Sequence, residues 1–496
     1  ARNLDSYGHM DGIIFVQPED RDQGFLCKMA KGEGASASVC RFMVRYNIDQ
    51  LLQRPVLHQW LQNGKLYREA SEQQSSRFEL FFDLLFVGMV HQVSEAAAEE
   101  PTGIGFAKYV LTFAPAFSIW SDVRDVANQF ANDDVTQRAY ILWIMMLLVG
   151  YSNNASSIAF GKSEGDLESM NDESLTALRW TLGFFVVAKL SKIILYLVYG
   201  LFLPMSRQPL FVNSIGSVVL TVLFFIAIFT PLHGTITIVA VGIVLDHALR
   251  ILGILLYKTV EILGKKYDKA KNSCPWSATD PAESPGLEKT EGERGPLDGV
   301  RTVNSSMTAA DVAAAINIEH HVERLGAFVT ICLGEMVISV FFTSPTPVGL
   351  NAEAGRALLG LMIAFNLNWM YFGSQACKHF VHAIRRHWLA GFVFTSLHLP
   401  LCMSLLLASS AINRLVVSAS TDSELGGGLK WFFGAGLGAS VCIMATIGVL
   451  HKNLDDQDGV GAAAVAHARA VRKRSAIRRT ISRRVVLGRG TWRGLR

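Results

Sequence analysis

Charge is scarce in this chain. Only 18% of its 496 residues are Asp, Glu, Lys or Arg, against about 25% in an ordinary soluble domain, and a protein of this length cannot cover itself with water on so few. Cysteine is sparse and odd in number, seven in all, with Cys332, Cys402 and Cys442 inside apolar runs. That excludes a small secreted framework stapled by disulfides. No Gly-rich loop followed by Lys is present to cradle a phosphate, no Gly-X-Ser-X-Gly elbow to raise a nucleophile, and no His-Glu-X-X-His pair to hold zinc. The first 30 positions carry no cleavable secretory signal, because Asp5, Glu19, Asp20 and Asp22 interrupt any apolar core.

What is abundant is apolar length. Half of the residues are hydrophobic and the mean hydropathy is +0.29. Ten apolar stretches of 18 to 24 residues, the length a bilayer requires, run 80–98, 104–121, 139–160, 180–203, 210–230, 235–257, 325–342, 357–375, 388–411 and 429–450. The fold class they predict is all-α, a polytopic transmembrane bundle of about ten helices. Residues 258–321 lie between the sixth and seventh stretches, and their middle is rich in Pro, Glu, Lys, Gly and Ser with no apolar period. The predicted organisation is therefore an N-terminal segment (1–77), a six-span bundle (78–257), a disordered linker (258–321), a four-span bundle (322–450) and a tail (451–496).

The formal charge of +4 conceals a segregation, since residues 451–496 hold 12 Lys or Arg against three Asp. On a membrane-tethered chain the nearest polyanion is a lipid headgroup, worth about 1 kcal/mol per basic residue near the surface, so the tail is read as a contact for anionic lipid rather than nucleic acid. Lys and Arg near the spans, including Arg124 and Arg207 on the inner side, favour cytoplasmic termini. A sugar on the sequon at Asn304 would overturn that orientation.

An ionisable side chain at mid-span costs roughly 3 kcal/mol or more, so each implies a partner, a wet cavity or a function. Glu79, Asp83, His91, Ser94 and Glu95 fall on one half of the first helix and are expected to line a polar path or to pack on the second half of the protein. Lys189 and Lys192, at i and i+3, share a face and need an acid from another helix, for which Asp83 and Glu335 are the candidates. Asp246 and Arg250, one turn apart, can pair within their own helix. Arg324 and Glu335 mark one face of the seventh span at two depths. His320, His321 and Glu323 have spacing at which one ion could be shared, but the pattern is too generic to assign a metal. His379, His382 and His387 stand among Lys378, Arg385 and Arg386, which reads more simply as an interfacial segment.

Some of these residues also carry a family likeness. The run from Arg77 through Phe81-Phe82-Asp83 to Val87 resembles the opening signature of the low temperature requirement A (LtrA) family. Further matches are Asn128-Gln129-Phe130 followed by Asn132-Asp133-Asp134-Val135, the run His320-His321-Val322-Glu323-Arg324-Leu325-Gly326 leading to Leu333-Gly334-Glu335, and Trp369-Met370-Tyr371-Phe372, with Gly373 where the family often has Asp. The long linker and flanks resemble the larger fungal members. The likeness implies a polytopic membrane protein of a family named for a bacterial cold-growth phenotype, with no established activity. The first span is also similar to the pore-lining Phe-Ser-Asp helix of the endolysosomal potassium channel family, matching at Phe82-Asp83 and lacking the Ser. That family has parallel six-span repeats, and aligning Glu79 with Glu323 sets His91 opposite Glu335, as a parallel 6+4 repeat would.

These readings converge on a small-cation channel or transporter with a polar pathway through Glu79, Asp83, His91, Lys189, Lys192, Glu323, Arg324 and Glu335. The family-motif residues that the LtrA resemblance singles out are Asn128, Asp133, Asp134, His320, His321, Trp369 and Tyr371. Competing readings are a lipid-modifying enzyme built on His320, His321 and Glu323, and a lipid-sensing scaffold. The partners implied are the bilayer, anionic lipid, a small cation and a second copy of the chain in a homo-oligomer; no cofactor is implied.

Overall fold

The computed structural model describes residues 13–16, 55, 57, 59–62, 65–69, 76–130, 135–159, 172–203, 207–272, 312–342, 352–373, 380–417 and 425–453. Asp133, Asp134, the middle of the linker with Asn304, and the tail beyond Asn453 lie outside these residues.

Among the described residues ten long helices dominate: α1 (Arg77–Glu99), α2 (Gly103–Gln129), α3 (Val135–Ser156), α4 (Asp172–Phe202), α5 (Arg207–Ala227), α6 (Leu232–Asn272), α7 (Ile318–Phe342), α8 (Ala352–Gly373), α10 (Trp388–Val417) and α11 (Leu425–Leu450), with a one-turn helix α9 (Ala383–Arg386) before α10. Each except α9 contains most of a predicted apolar stretch, but α6 continues to Asn272 and α7 starts at Ile318, so both ends of the segment expected to be a disordered linker (258–321) are helical. Six of the helices are long and apolar enough to cross a membrane: Arg77–Glu99, Asp172–Phe202, Leu210–Ala227, Leu232–Gly253, Trp388–Ile412 and Gly427–Leu450. The architecture is all-helical, as expected, and the only other regular elements among the described residues are short strands. Four short strands, β1 (Ile13–Val16), β2 (Gln59–Gln62), β3 (Lys65–Glu69) and β4 (Val312–Ala314), form a sheet in the order β1-β3-β2-β4. A two-stranded pair, β5 (Phe380–Val381) with β6 (Lys452–Asn453), follows later. Strands of two to five residues flanked by mixed composition give no alternating pattern long enough to read.

The chain divides into two compact units, Gly12–Phe328 and, for the remainder, Val329 onward, the boundary falling inside α7. In the first unit charged side chains are buried among apolar ones while large apolar side chains face outward, a distribution that a soluble bundle does not have. On α4, Leu190, Ile194, Leu197 and Leu201 are exposed, whereas Lys189, Lys192, Tyr196 and Tyr199 on the opposite face are buried. On α1, Phe78, Phe81 and Leu84 are exposed and Glu79, Phe82, Asp83 and Phe86 are buried. An outer face of this kind suits lipid, which solvates Leu and Phe and not carboxylates.

α2 is the element most enclosed by its neighbours, with most of its residues buried. Pro115 sits inside it, and the hydroxyl of Tyr151 on α3 donates to the Thr112 carbonyl at 2.6 Å in the same stretch. In the second unit α10 and α11 approach closely: Ser404 and Ser440 share a hydrogen bond of 2.8 Å, and Ser440 donates to the Gly436 carbonyl, also at 2.8 Å.

Candidate functional site: a buried ionic core

The site begins at the helix start that places Glu79. Ser76 caps α1, its hydroxyl accepting the Glu79 N–H at 3.2 Å, while the Glu79 carboxylate accepts the Ser76 N–H at 3.3 Å. This reciprocal capping box orients the Glu79 carboxylate at the first turn. Its other oxygen lies 3.0 Å from Nε2 of His320 and 3.4 Å from Nε of Arg324. One turn further along α1, Asp83 is fully buried and grips the same guanidinium with both oxygens, Nη1 to Oδ2 at 2.8 Å and Nη2 to Oδ1 at 2.8 Å. Trp120 Nε1 on α2 donates to Asp83 Oδ1 at 2.7 Å. Arg324 is itself fully buried, so this is a bidentate pair between α1 and the first turns of α7, shielded from bulk solvent by the surrounding side chains. An aromatic layer of Phe86, Phe117, Trp120 and Phe328 lies beside it, with Trp120 and Phe328 4.6 Å apart.

The last turn of α2 holds the start of α7 in register. Asn128 reads the backbone of Asn317 on both sides, accepting its N–H at 2.9 Å and donating to its carbonyl at 2.8 Å. Those two bonds decide which way the Asn128 amide points. Its remaining N–H therefore faces Nδ1 of His320 at 3.2 Å, so that nitrogen accepts and the ring hydrogen sits on Nε2, toward Glu79.

A second cluster is strung along α2, α4 and α6. Asp122, buried on α2, receives Lys189 at 2.5 Å and Lys192 at 2.7 Å. Lys189 also donates to Ser118, and Ser118 in turn donates to Asp246 on α6, each at 2.7 Å. Arg250 lies 3.5 Å from Asp246, 3.4 Å from Asp125 and 3.8 Å from Asp122. Arg124, fully buried, holds Asp125 at 2.8 Å and lies over the Trp120 ring, 5.1 Å from its centroid, which joins the two clusters. The ten fixed charges balance: Glu79, Asp83, Asp122, Asp125 and Asp246 against Arg124, Lys189, Lys192, Arg250 and Arg324.

Several sequence expectations are corrected here. The acid that compensates Lys189 and Lys192 is Asp122, not Asp83 or Glu335, because Asp83 is taken by Arg324. Arg124, read as an inner-loop charge, is buried in α2. Asp246 and Arg250 do pair within their helix, and Arg250 also reaches across to α2. His91 stands 3.9 Å from Glu95 of its own helix, outside these clusters. His321 is buried and near Asp125, whereas Glu323 is half-buried. Among the described residues no three His, Cys, Asp or Glu are grouped to hold an ion. In the second unit Glu335 is half-buried, Trp369 is exposed and packs on Phe365, and the Tyr371 hydroxyl contacts His398 Nε2 at 2.9 Å.

Sequence reasoning missed Asp122, Arg124 and Asp125 as core groups. The available signal was their position: Trp120 to Asn128 continues the helical run past the apolar stretch that ends at residue 121, with no Pro or Gly to stop it.

Apolar helices with a charge-paired interior define an integral membrane protein. The chain belongs to the LtrA family: residues 74–481 match the family described as bacterial low temperature requirement A protein (LtrA). No curated protein and no solved structure matches it.

Proposed function

We propose that the chain is a transporter for a small cation, the proton included, in which the Asp83–Arg324 pair is the exchangeable element. The observation that carries this reading is the fully buried bidentate pair with Glu79 and His320 beside it. A carboxylate with both oxygens occupied binds an incoming cation only by letting Arg324 go. A released Arg324 has Glu79 already 3.4 Å away to receive it. Two alternative partners for one guanidinium favour a gated transporter over a standing-open channel. Lys189 and Lys192 keep the rest of the core neutral.

The reading includes ten spans, with α2, α3, α7 and α8 joining the six apolar helices in a parallel 6+4 arrangement. Both termini are then cytoplasmic, the basic tail lies on anionic lipid, and the transporter works as a homo-oligomer.

The test is ion flux in liposomes holding the purified protein, under K⁺, Na⁺ and H⁺ gradients, beside Asp83→Asn and Arg324→Gln variants with melting curves recorded for each. Flux carried by the parent chain and abolished in folded Asp83→Asn is the expected result. Folded parent protein that moves none of the three ions overturns the proposal.

A further inference from the structure

The sequence placed His382 in a basic interfacial segment; in the second unit it meets another histidine. The connection from α8 to α10 is tied to the chain leaving α11 at several points. β5 pairs with β6, Val381 opposite Lys452. Nδ1 of His451 accepts the Ala383 N–H at 3.2 Å, and Nδ1 of His382 accepts the Ile384 N–H at 3.3 Å, capping α9. Arg386 Nη1 donates to the Leu450 carbonyl at 3.3 Å. His382 is fully buried and His451 nearly so, their ring centroids are 4.6 Å apart, and both rest on Phe394.

The bonding assigns the ring hydrogens. An Nδ1 that accepts from a peptide N–H carries no proton, so each neutral imidazole has its hydrogen on Nε2. A second proton must enter at Nδ1, where it meets the amide N–H head-on and breaks the bond that it accepts. It also sets a cation in an apolar site against the other ring. The charged and titratable groups nearby among the described residues do not soften this. They are Arg385, Arg386 and His387 on or next to α9, His398 on α10, and Tyr371 of α8 bonded to His398.

We propose that His382 and His451 form a two-proton latch: neutral, they hold the α8–α10 connection against the chain leaving α11; protonated, they release it. Burial pushes the His382 imidazole down to about 3, the neighbouring His451, His398 and Arg385 adding to it, and burial alone pushes His451 down to about 4. An exposed imidazole sits at about 6.5. Because the closed form has the lower values, the open form binds more protons, so the latch is secure above about pH 6.5 and weakens as pH falls toward 4. Two protons give an opening equilibrium that rises roughly a hundredfold per pH unit in that window, and about a thousandfold between pH 7.5 and 5.

Hydrogen exchange on the full chain in nanodiscs tests this, with protection factors corrected for intrinsic exchange, on peptides covering 380–386 and 451–453 and, for comparison, 401–408 in α10. Protection of the first two peptides should fall by two to three orders of magnitude from pH 7.5 to 5 while that of 401–408 holds. In His382→Asn/His451→Asn, where an amide oxygen replaces each accepting nitrogen and cannot titrate, the fall should shrink to about threefold or less. Each single variant should show a one-proton slope, so the latch remains testable if the double variant does not fold. Protection independent of pH in the parent chain, an equal fall at 401–408, or an unchanged pH response in the Asn variants would each overturn it.

Discussion

Arg324 illustrates how far a side chain's neighbours decide its worth. It is separated from Asp83 by most of the first unit's sequence, and nothing in spacing or composition links them; only the folded arrangement of α7 on α1 does. Asp83 stood out in the sequence because an ionisable group in an apolar run is costly, and Arg324 because it shares a face of the seventh span with Glu335, each without reference to the other. Their pairing is a property of tertiary structure and could not be read. Removing one partner leaves an uncompensated buried charge, at a cost of about 3–5 kcal/mol, whereas replacing both with apolar groups is often close to neutral. Arg324→Met is therefore expected to lower the melting temperature sharply in detergent, and Asp83→Leu/Arg324→Met to recover most of the loss. Equal destabilisation by the single and double variants would show that the pair is not the unit that matters. Lys189 and Lys192 teach the complementary lesson. The need for an acid between them was evident from their i, i+3 spacing, but its identity was missed, because Asp122 lies one residue past the end of the apolar stretch.

Helix pairs in this protein come together by two different means. In the first unit charge joins α1 to the start of α7, through Glu79, Asp83 and Arg324, and joins α2 to α4 and α6, through Asp122, Asp125, Asp246, Lys189, Lys192 and Arg250. In the second unit α10 and α11 are joined by small residues. A Cβ built on Gly436 would lie 2.9 Å from the Ser404 carbonyl oxygen and 3.1 Å from the Ala408 Cβ, so the backbones approach too closely for a side chain there. Gly436 and Ser440, four residues apart, face Ser404 and Ala408 in the small-residue manner that lets membrane helices gain dispersion contact and short hydrogen bonds. Gly438, two residues on, has open space around it. Gly436→Leu should thus destabilise the second unit by about 1–3 kcal/mol, as overpacking does, while Gly438→Leu should stay within about 0.5 kcal/mol. Thermal melts of the two variants side by side check the contrast. The helices themselves were readable in the sequence as apolar runs. The sheet was not, since its strands are too short to display a period, and β4 is brought to β2 from far along the chain.

How many helices cross the bilayer follows from where each one's polar groups are satisfied. α2 falls outside the six helices apolar enough to span, yet it is the element most enclosed by protein, and its Asp122, Arg124 and Asp125 are neutralised by α4, α6 and their own neighbours. A helix wrapped by others need not be apolar itself; hydropathy undercounts such spans because it prices every side chain as though it faced lipid. The ten-span and six-span alternatives differ at two connections. If α2 and α3 both cross, the loop at 131–134 lies on the side where α1 begins; if neither does, it lies opposite. If α7 and α8 both cross, the loop at 343–351 lies opposite the side where α7 begins; otherwise it shares that side. Single cysteines introduced at Asp133 and at Pro347, in a background lacking the native cysteines, can be labelled in intact cells with a membrane-impermeant maleimide. Ten spans with cytoplasmic termini require protection at 133 and labelling at 347. The six-span arrangement requires the reverse at both, and a mixed result would mean that one of the two helix pairs lies in the interface while the other crosses.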